Sequence, residues 1–305
     1  MRPSHDQLDA AAAALMLVLC ALWGLNQVAI KVANAGISPV LQAGLRSAGA
    51  AVLVWGWSAL RAVPLFDRNG PHGLGLLIGL LFATEFMFIY WGLTFTTASR
   101  SVILLYTAPF VVAVGAHLFV PGERLRPAQI LGLACAFMGV VLVFGDALRL
   151  PTQRELIGDA MILLGAVLWG ATTVVIKATR LVTIHPNKTL FYQLVVSAIL
   201  LPLVSPLSGE AGITVPSLLV LGSLAFQIVI VAFASYLAWF WLMTRYPASR
   251  LSSFSFFTPL FGVLAGGLLL DERISPSLLL ALALVALGIY LVNRAPAKPA
   301  PMSAD

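Results

Sequence analysis

Residues 21–33 read ALWGLNQVAIKVA, and residues 167–179 read VLWGATTVVIKAT. Both segments carry Trp-Gly followed by Ile-Lys, so that Trp23, Gly24, Ile30 and Lys31 return as Trp169, Gly170, Ile176 and Lys177. The offset from Trp23 to Trp169 is 146 residues, close to half of the 305-residue chain. A repeat of this length in an apolar chain indicates the duplication of a multi-helix unit, and we expect a small-molecule site at the interface between the two copies.

The composition predicts that the solvent of this chain is a lipid bilayer. Hydrophobic residues make up 60% of the chain and charged residues only 10%, against roughly 25% charged residues in soluble domains. Ten apolar stretches are each about long enough to cross a hydrocarbon core as helix. They cover residues 10–32, 40–60, 73–95, 99–120, 127–145, 156–178, 188–206, 216–243, 249–270 and 276–293. We therefore predict an all-α membrane protein with ten transmembrane helices.

The repeat extends through the whole of each half. The segments Ala98-Ser99-Arg100, Thr107-Ala108-Pro109 and Glu123-Arg124-Leu125-Arg126-Pro127 return as Ala248-Ser249-Arg250, Phe257-Thr258-Pro259 and Glu272-Arg273-Ile274-Ser275-Pro276. Five helices per copy is an odd number, so the second copy must enter the membrane from the opposite side. We predict two inverted five-helix repeats around a central cavity, at residues 10–145 and 156–293, followed by a disordered cytoplasmic tail at 294–305.

The basic residues predict the orientation of the chain. If the N-terminus is cytoplasmic, twelve lysines and arginines lie on the inner side and five on the outer side. The positive-inside rule then places both termini in the cytoplasm. The net charge of +6 is spread over loops and forms no single patch, so we expect no nucleic-acid partner.

The duplicated segments also carry polar side chains at helical spacing. Trp23, Asn26, Gln27 and Lys31 share one helix face, and Trp169, Thr172, Thr173 and Lys177 repeat that spacing. Two polar stripes headed by tryptophan favour a cavity that stacks on and hydrogen-bonds to a small amphipathic solute. The alternative is that the polar groups hold helices together, each for about 0.6 kcal/mol, and that the lysines snorkel to the headgroups.

Glu85 is the most anomalous residue, because it lies in the middle of the apolar run LLFATEFMFIYW at 80–91. A carboxylate at the bilayer centre costs at least about 2.5 kcal/mol, which makes such a residue a functional candidate. Glu85 could contact substrate and carry a proton across a transport cycle. It could instead form a structural ion pair or gate with Arg46, the only cation in the middle of a predicted span. Arg46 alone could also bind a substrate carboxylate.

Four further residues are candidate substrate contacts. Tyr106 and Phe256 precede the two helix prolines by three residues, Gln193 is an amide within a span, and Tyr236 belongs to an aromatic cluster. Pro109 and Pro259 lie inside the fourth and ninth predicted helices, where each removes a backbone donor. Kinks at symmetric positions indicate gating elements, and a static kink that helps packing is the alternative.

The first copy carries a wider pattern: Trp23-Gly24-Leu25-Asn26, Ile30-Lys31, Pro109, Glu123-Arg124, Pro127, Gly132 and Gly139. This pattern resembles the EamA domain of the drug/metabolite transporter superfamily, over about residues 12–293. The resemblance implies a ten-helix carrier of the bacterial inner membrane, often an exporter of amino acids and related small metabolites. Ala171-Thr172 stands where the first copy has Leu25-Asn26, so we expect the two sides of the cavity to differ in polarity.

We therefore expect a secondary transporter that exports amino acids or similar metabolites by alternating access. Its expected partners are a small-molecule substrate and the lipid bilayer, with no cofactor and no metal. A passive channel or facilitator is the alternative, and an intramembrane enzyme is the weakest candidate. The sequence contains no G-x-x-x-x-G-K-[ST], H-E-x-x-H or G-x-S-x-G motif, so we expect neither an ATPase subunit nor a hydrolase.

Overall fold

The computed structural model describes residues 8–66, 70–145, 150–270 and 277–294. These residues form helices throughout, and the only extended pairing among them is an isolated bridge between Ile37 and Ile213. The helices are α1 (Ala10–Ala33), α2 (Pro39–Leu60), α3 (His72–Leu93), α4 (Ala98–Leu105), α5 (Ala108–Phe119), α6 (Pro127–Phe144), α7 (Gln153–Ala178), α8 (Pro186–Val204), α9 (Leu218–Phe226), α10 (Tyr236–Met243), α11 (Ala248–Phe254), α12 (Phe257–Leu270) and α13 (Leu278–Asn293). A π-helical stretch, Gln227–Ser235, joins α9 to α10. The all-helical prediction is confirmed for this part of the chain.

Some predicted features lie outside the described residues. They are the repeat segment 272–276, the tail beyond residue 294, and five of the basic residues that predict topology: Arg2, Arg68, Arg149, Arg273 and Lys298.

Eight helical stretches in the described ranges are long and apolar enough to cross a membrane. They are Ala10–Ala33, His72–Leu93, Arg100–Phe119, Pro127–Phe144, Gln153–Ala178, Pro186–Ser208, Leu218–Met243 and Ala248–Leu269. The 22-residue α2 buries the polar residues Gln42, Arg46 and Ser47 and is not among them, and the apolar α13 has only 16 residues. These two helices coincide with the second and tenth predicted spans, so a total of ten spans stays a prediction.

The fourth and ninth predicted spans are each interrupted, between α4 and α5 and between α11 and α12. Pro109 and Pro259 therefore lie in the first turn of a new helix, which corrects the prediction that they lie inside continuous helices. Proline is tolerated there because the first-turn amides have no partner within the helix. At the second break the Thr258 amide donates to the Ser255 carbonyl at 2.9 Å, so that carbonyl is satisfied.

The glycines of the duplicated Trp-Gly pairs lie at close helix crossings. A Cβ added at Gly24 of α1 would lie 2.6 Å from the Cβ of Phe261 in α12. A Cβ added at Gly170 of α7 would lie 2.5 Å from the Val111 side chain in α5. Small residues let membrane helices approach in this way. Each half of the chain thus packs a Trp-Gly helix against a helix of the other half.

Candidate functional site

A cavity of about 570 Å³ lies between helices from both halves of the chain. Ordinary small-molecule sites have about 300–1,000 Å³. The walls come from α1, α2, α3, α4, α6, α7, α8, α10 and α12. Aromatic and polar side chains are prominent in the lining: Trp23, Asn26, Gln27, Lys31, Asn34, Arg46, Phe82, Glu85, Phe86, Tyr90, Ser101, Tyr106, Phe144, Trp169, Thr172, Thr173, Gln193, Tyr236, Trp239, Phe240 and Thr258. These groups can stack on and hydrogen-bond to a small amphipathic solute.

The cavity brings together most of the side chains that the sequence indicates as candidate substrate contacts. Nine of these ten residues line it: Trp23, Asn26, Gln27, Glu85, Tyr106, Trp169, Thr172, Gln193 and Tyr236. Phe256 is the exception, because its side chain is fully buried and is not part of the lining. Its ring packs instead against the rings of Tyr106, Phe110 and Phe137. Phe256 therefore supports the cavity wall without facing the cavity.

The polar face of α1 predicted from helical spacing faces the cavity. Trp23, Asn26, Gln27 and Lys31 all line it. The indole Nε1–H of Trp23 donates to Ser235 Oγ at 2.9 Å, and the Ser235 hydroxyl donates to the Val231 carbonyl at 2.6 Å. Ser235 ends the π-helical stretch, so this bond fixes the α1 tryptophan against α10. The Asn26 Oδ1 atom is buried and accepts no hydrogen bond, which leaves it available to a ligand donor.

Two groups of aromatic rings face the cavity, and each group combines rings from both repeats. Trp23 makes edge-to-face contacts with Tyr236 and with Trp239, at centroid separations of 6.4 and 5.7 Å. Trp169 makes an edge-to-face contact with Tyr106 at 6.0 Å. Such pairs contribute about 0.5–1.5 kcal/mol beyond burial. The packed rings therefore form an ordered aromatic surface that can bind a planar or cationic solute.

Glu85 and Arg46 do not form the ion pair that the sequence left open. Neither forms an ion pair within the described part of the chain, although the two groups interact electrostatically. The Arg46 guanidinium lies over the ring of Phe86, with Cζ 4.6 Å from the ring centroid. Its Nε and Nη2 atoms are buried without a hydrogen bond. The cation–π contact and the nearby Glu85 charge each offset part of the cost of burying this guanidinium.

The cavity is closed at the end of the bundle where Lys177 lies. The Lys177 Nζ donates to the carbonyls of Met243 at 2.9 Å and Tyr246 at 2.7 Å, and it lies 3.7 Å from Glu123 Oε1. Glu123 also accepts the Ala248 amide at 2.9 Å, at the start of α11. None of these five residues lines the cavity. The prediction that Lys177 snorkels to the headgroups is wrong, because its ammonium is buried and bonded to carbonyls of the protein.

At the opposite end the lining continues to the last turns of the helices. Lys31 and Asn34 at the end of α1, Leu93 at the end of α3, Ala98 at the start of α4 and Gly266 of α12 all take part. The cavity therefore reaches one end of the bundle and stops short of the other. Carriers that work by alternating access hold an internal site in this way, exposed to one side at a time.

The two helix breaks differ in their relation to the cavity. Pro259 and the adjacent Thr258 line it, whereas Pro109 is buried and does not. Tyr106, at the end of α4, lines the cavity at the first break. Irregular backbone at membrane depth is tolerated where it is buried in protein or faces a cavity. Both breaks meet that condition.

Sequence reasoning missed Trp239 and Phe82, which also line the cavity. The repeat offset of 150 residues could have found Trp239, because it relates the lining residues Ile89 and Phe86 to Trp239 and Tyr236. Phe82 lies one turn before Glu85 on α3. The sequence does not distinguish it from the other apolar residues of that span. No group of three or more His, Cys, Asp or Glu side chains that could hold a metal occurs in the described ranges.

Comparisons with known proteins match nearly the whole chain. The family model described as EamA-like transporter family matches residues 10–145 and 156–294. The uncharacterized transporter YoaV of Bacillus subtilis is 26% identical over 273 residues, covering 88% of this chain and 92% of that protein. A probable amino-acid metabolite efflux pump of Escherichia coli K12 is 30% identical over 292 residues, covering 91% and 93%.

A solved crystal structure has the same fold. It superposes with a TM-score of 0.80 at 19% sequence identity, over 93% of this chain and 96% of that chain. At this identity the likeness establishes the helical architecture alone.

Proposed function

Because this chain belongs to the EamA-like transporter family, we propose that it is a secondary transporter that exports amino acids or related small metabolites by alternating access. The resemblance predicted from the Trp-Gly and Glu-Arg segments is confirmed, and so is the prediction of a transporter. The observation that carries the proposal is the cavity, which both matched segments line and which is closed at the Lys177 end. The efflux-pump relative supports amino-acid metabolites as the substrate class.

The proposed architecture is a pair of inverted five-helix repeats, residues 10–145 and 156–293, with ten membrane spans. The chain is a multi-pass membrane protein, and its described residues contain eight long apolar helical stretches. In this proposal α2 and α13 supply the remaining two spans. The Trp-Gly contacts support the symmetry. Gly24 meets Phe261 of the second repeat, and Gly170 meets Val111 of the first. These partners are related by the same offset of 150 residues that relates other parts of the repeats.

The proposed substrate site is the set of cavity residues that includes Trp23, Asn26, Gln27, Glu85, Tyr106, Trp169, Thr172, Gln193 and Tyr236. Glu85 is its proton-coupling group, since it is a carboxylate that lines the cavity without an ion pair in the described residues. Pro109 and Pro259 serve as gating points, because each begins the second segment of an interrupted span.

The proposed location is the bacterial inner membrane, with both termini in the cytoplasm. The distribution of basic residues supports this orientation. In this orientation the Lys177 end of the bundle faces the cytoplasm and the Lys31 end faces outward. The cavity lining then reaches the outer side.

The bonds at the Lys177 end favour a carrier over a passive channel. A channel needs a continuous path, and here Lys177 and Glu123 join the α5–α6 connection to α11 across one end of the cavity. An enzyme is disfavoured for a separate reason. Glu85 is the only carboxylate that lines the cavity in the described residues, and no histidine or cysteine lines it there.

Efflux from proteoliposomes tests the proposal. Vesicles loaded with an amino-acid panel are followed with and without an imposed pH gradient, for the wild type and for Glu85→Gln. We expect the gradient to accelerate wild-type efflux. We expect Glu85→Gln to lose that acceleration and to show slower efflux that still runs down a substrate gradient when the internal substrate concentration is high.

Glu210→Gln is the matched control, because Glu210 accepts the Val40 amide at 2.8 Å and does not line the cavity. It should respond to the gradient like the wild type. Wild-type flux that ignores the gradient would contradict the proton role of Glu85. Vesicles that release no member of the panel faster than protein-free vesicles would contradict transport of these substrates.

A further inference from the structure

Three aromatic rings form a cage in the wall of the cavity. Trp23 of α1 contacts Tyr236 and Trp239 of α10 edge to face, at 6.4 and 5.7 Å between centroids. All three side chains are half-buried and line the cavity. Phe82 of α3 adds a fourth ring, edge to face with Tyr236 at 6.4 Å. Aromatic faces that are open to a cavity attract organic cations, which bind when they lie within about 6 Å of a ring centroid.

The cage is held in place before any ligand arrives. The Trp23 indole is fixed by its hydrogen bond to Ser235 at 2.9 Å. Tyr236 and Trp239 lie one turn apart on the same helix, so their separation is set by the backbone. A site that is already ordered loses little conformational entropy on binding.

An acid lies beside the cage. Glu85 lines the same cavity, is only 7% exposed, and interacts electrostatically with Tyr236. No hydrogen bond or ion pair to its carboxyl group is found in the described ranges of the chain. A carboxylate in a low-dielectric site requires an opposite charge and hydrogen-bond donors, and Arg46 supplies part of the charge but no hydrogen bond. A ligand ammonium supplies both.

Arg46, the other charged side chain in this part of the cavity, is poorly placed to select the ligand. Its side chain is 1% exposed and its guanidinium lies against the ring of Phe86. This guanidinium already has an aromatic partner, whereas the Glu85 carboxyl group has no hydrogen bond or ion pair in the described ranges. Lys31 also lines the cavity, but it lies eight residues beyond Trp23, about 12 Å further along α1.

We propose that Trp23, Tyr236, Trp239 and Glu85 bind the ammonium group of the substrate, so that this carrier selects solutes by a primary amine and not by a carboxylate. The inference rests on the transport function proposed above and narrows its substrate class to amine-bearing metabolites. Asn26 Oδ1, one turn from Trp23 and without a donor, is a further acceptor for the ammonium hydrogens.

Three small molecules with one phenethyl skeleton test the proposal: L-phenylalanine, phenethylamine and 3-phenylpropanoate. L-Phenylalanine carries an ammonium and a carboxylate, phenethylamine carries only the ammonium, and 3-phenylpropanoate carries only the carboxylate. Binding to the purified protein in detergent is measured by calorimetric titration at neutral pH. We expect phenylalanine and phenethylamine to bind with similar affinity and 3-phenylpropanoate to bind at least about tenfold more weakly, the size of a well-placed cation–π contact.

Two results would overturn the proposal. One is 3-phenylpropanoate binding as tightly as phenylalanine, which would assign recognition to Arg46. The other is no phenethylamine binding at millimolar concentration. Because the titration needs no transport, a protein that binds amines selectively but moves none in vesicles would contradict the transport function and leave the amine site standing.

Substitutions locate the site. Glu85→Gln keeps the shape of the side chain but removes its charge, and it should weaken phenethylamine binding about tenfold. Trp239→Phe should weaken binding less than Trp239→Leu, because the smaller phenyl ring retains part of the cation–π attraction. Trp241→Leu is the control, since Trp241 is on the same helix but does not line this cavity. Its affinity should equal that of the wild type. Equal affinities for Glu85→Gln and wild type, with equal unfolding temperatures, would remove Glu85 from the site.

Discussion

At the scale of single residues, Ser235 shows how the two repeats diverge in function. It is the counterpart of Glu85 at the offset of 150 residues. Glu85 faces the cavity with a carboxyl group, whereas Ser235 is buried and holds the indole of Trp23 in the wall. The same position therefore supplies a carboxyl group to the cavity in the first copy and a hydrogen-bond acceptor for Trp23 in the second.

We expect Ser235→Ala to lower the thermal unfolding temperature and to weaken phenethylamine binding about fivefold. The substitution leaves the Trp23 N–H without its acceptor, which costs on the order of 1 kcal/mol at a partly buried donor. Thermal unfolding and calorimetric titration of the purified variant measure the two effects. Ser235→Thr retains the hydroxyl and should behave like the wild type. Unchanged binding in Ser235→Ala would show that this bond does not position the ring.

At the scale of helices, two glutamates cap helix starts that belong to other parts of the chain. Glu123, before α6, accepts the Ala248 amide of α11 at 2.9 Å, and Glu210, before α9, accepts the Val40 amide of α2 at 2.8 Å. A carboxylate at a helix N-terminus satisfies free amides and complements the helix dipole. Only Glu123 also has a lysine nearby, Lys177 at 3.7 Å. Its cap therefore belongs to the closed end of the cavity.

Hydrogen exchange should separate the two caps. We expect Glu123→Ala to speed amide exchange at Ala248 and Ser249 about tenfold and to leave Val40 and Leu41 unchanged, since about 1.4 kcal/mol of lost protection is tenfold in rate. Glu210→Ala should do the reverse. Mass spectrometry of the exchanged peptides reads both sites in one sample. If either variant showed faster amide exchange at both sites, the lost hydrogen bonds would have destabilised the whole protein and not one helix start, which would contradict the prediction.

At the scale of the whole molecule, α6 and α13 pack together away from the substrate. Phe144 is the only residue of α6 in the cavity lining, and no described residue of α13 belongs to it. A Cβ added at Gly132 would lie 2.5 Å from the Gly288 carbonyl oxygen, and one at Gly139 would lie 2.8 Å from that of Ala281. Backbones this close indicate a contact that holds the bundle together independently of the cavity.

This separation predicts that stability and ligand affinity can be changed independently. Gly132→Ala places a methyl group against a carbonyl and should lower the unfolding temperature, with phenethylamine affinity retained in the folded fraction. Gly56→Ala is the matched control, because nothing lies within 4 Å of its added Cβ. It should be neutral or stabilising by up to about 1 kcal/mol. An affinity loss in Gly132→Ala would show instead that the α6–α13 contact shapes the cavity.

Local patterns predicted much of the site. The face that carries Trp23, Asn26 and Gln27 follows from helical spacing, and Glu85 is conspicuous because charge is costly in an apolar span. The partners of charged groups could not be predicted. Lys177 bonds to residues more than fifty positions away in the chain, and Arg46 rests on Phe86 of another helix. Such contacts depend on how helices cross, and sequence separation carries no information about that.

A helical membrane protein built from two copies of one unit could be predicted from the amino-acid sequence, because span length, apolar composition and the repeated Trp-Gly segments are local properties of the chain. Helix packing determines which polar groups face the cavity, which end of it is closed, and that Trp239 and Tyr236 contact Trp23. The physical reason is that a buried polar or aromatic group takes its role from neighbours that packing brings to it. Those neighbours come from other helices and, for Trp23, from the other half of the chain.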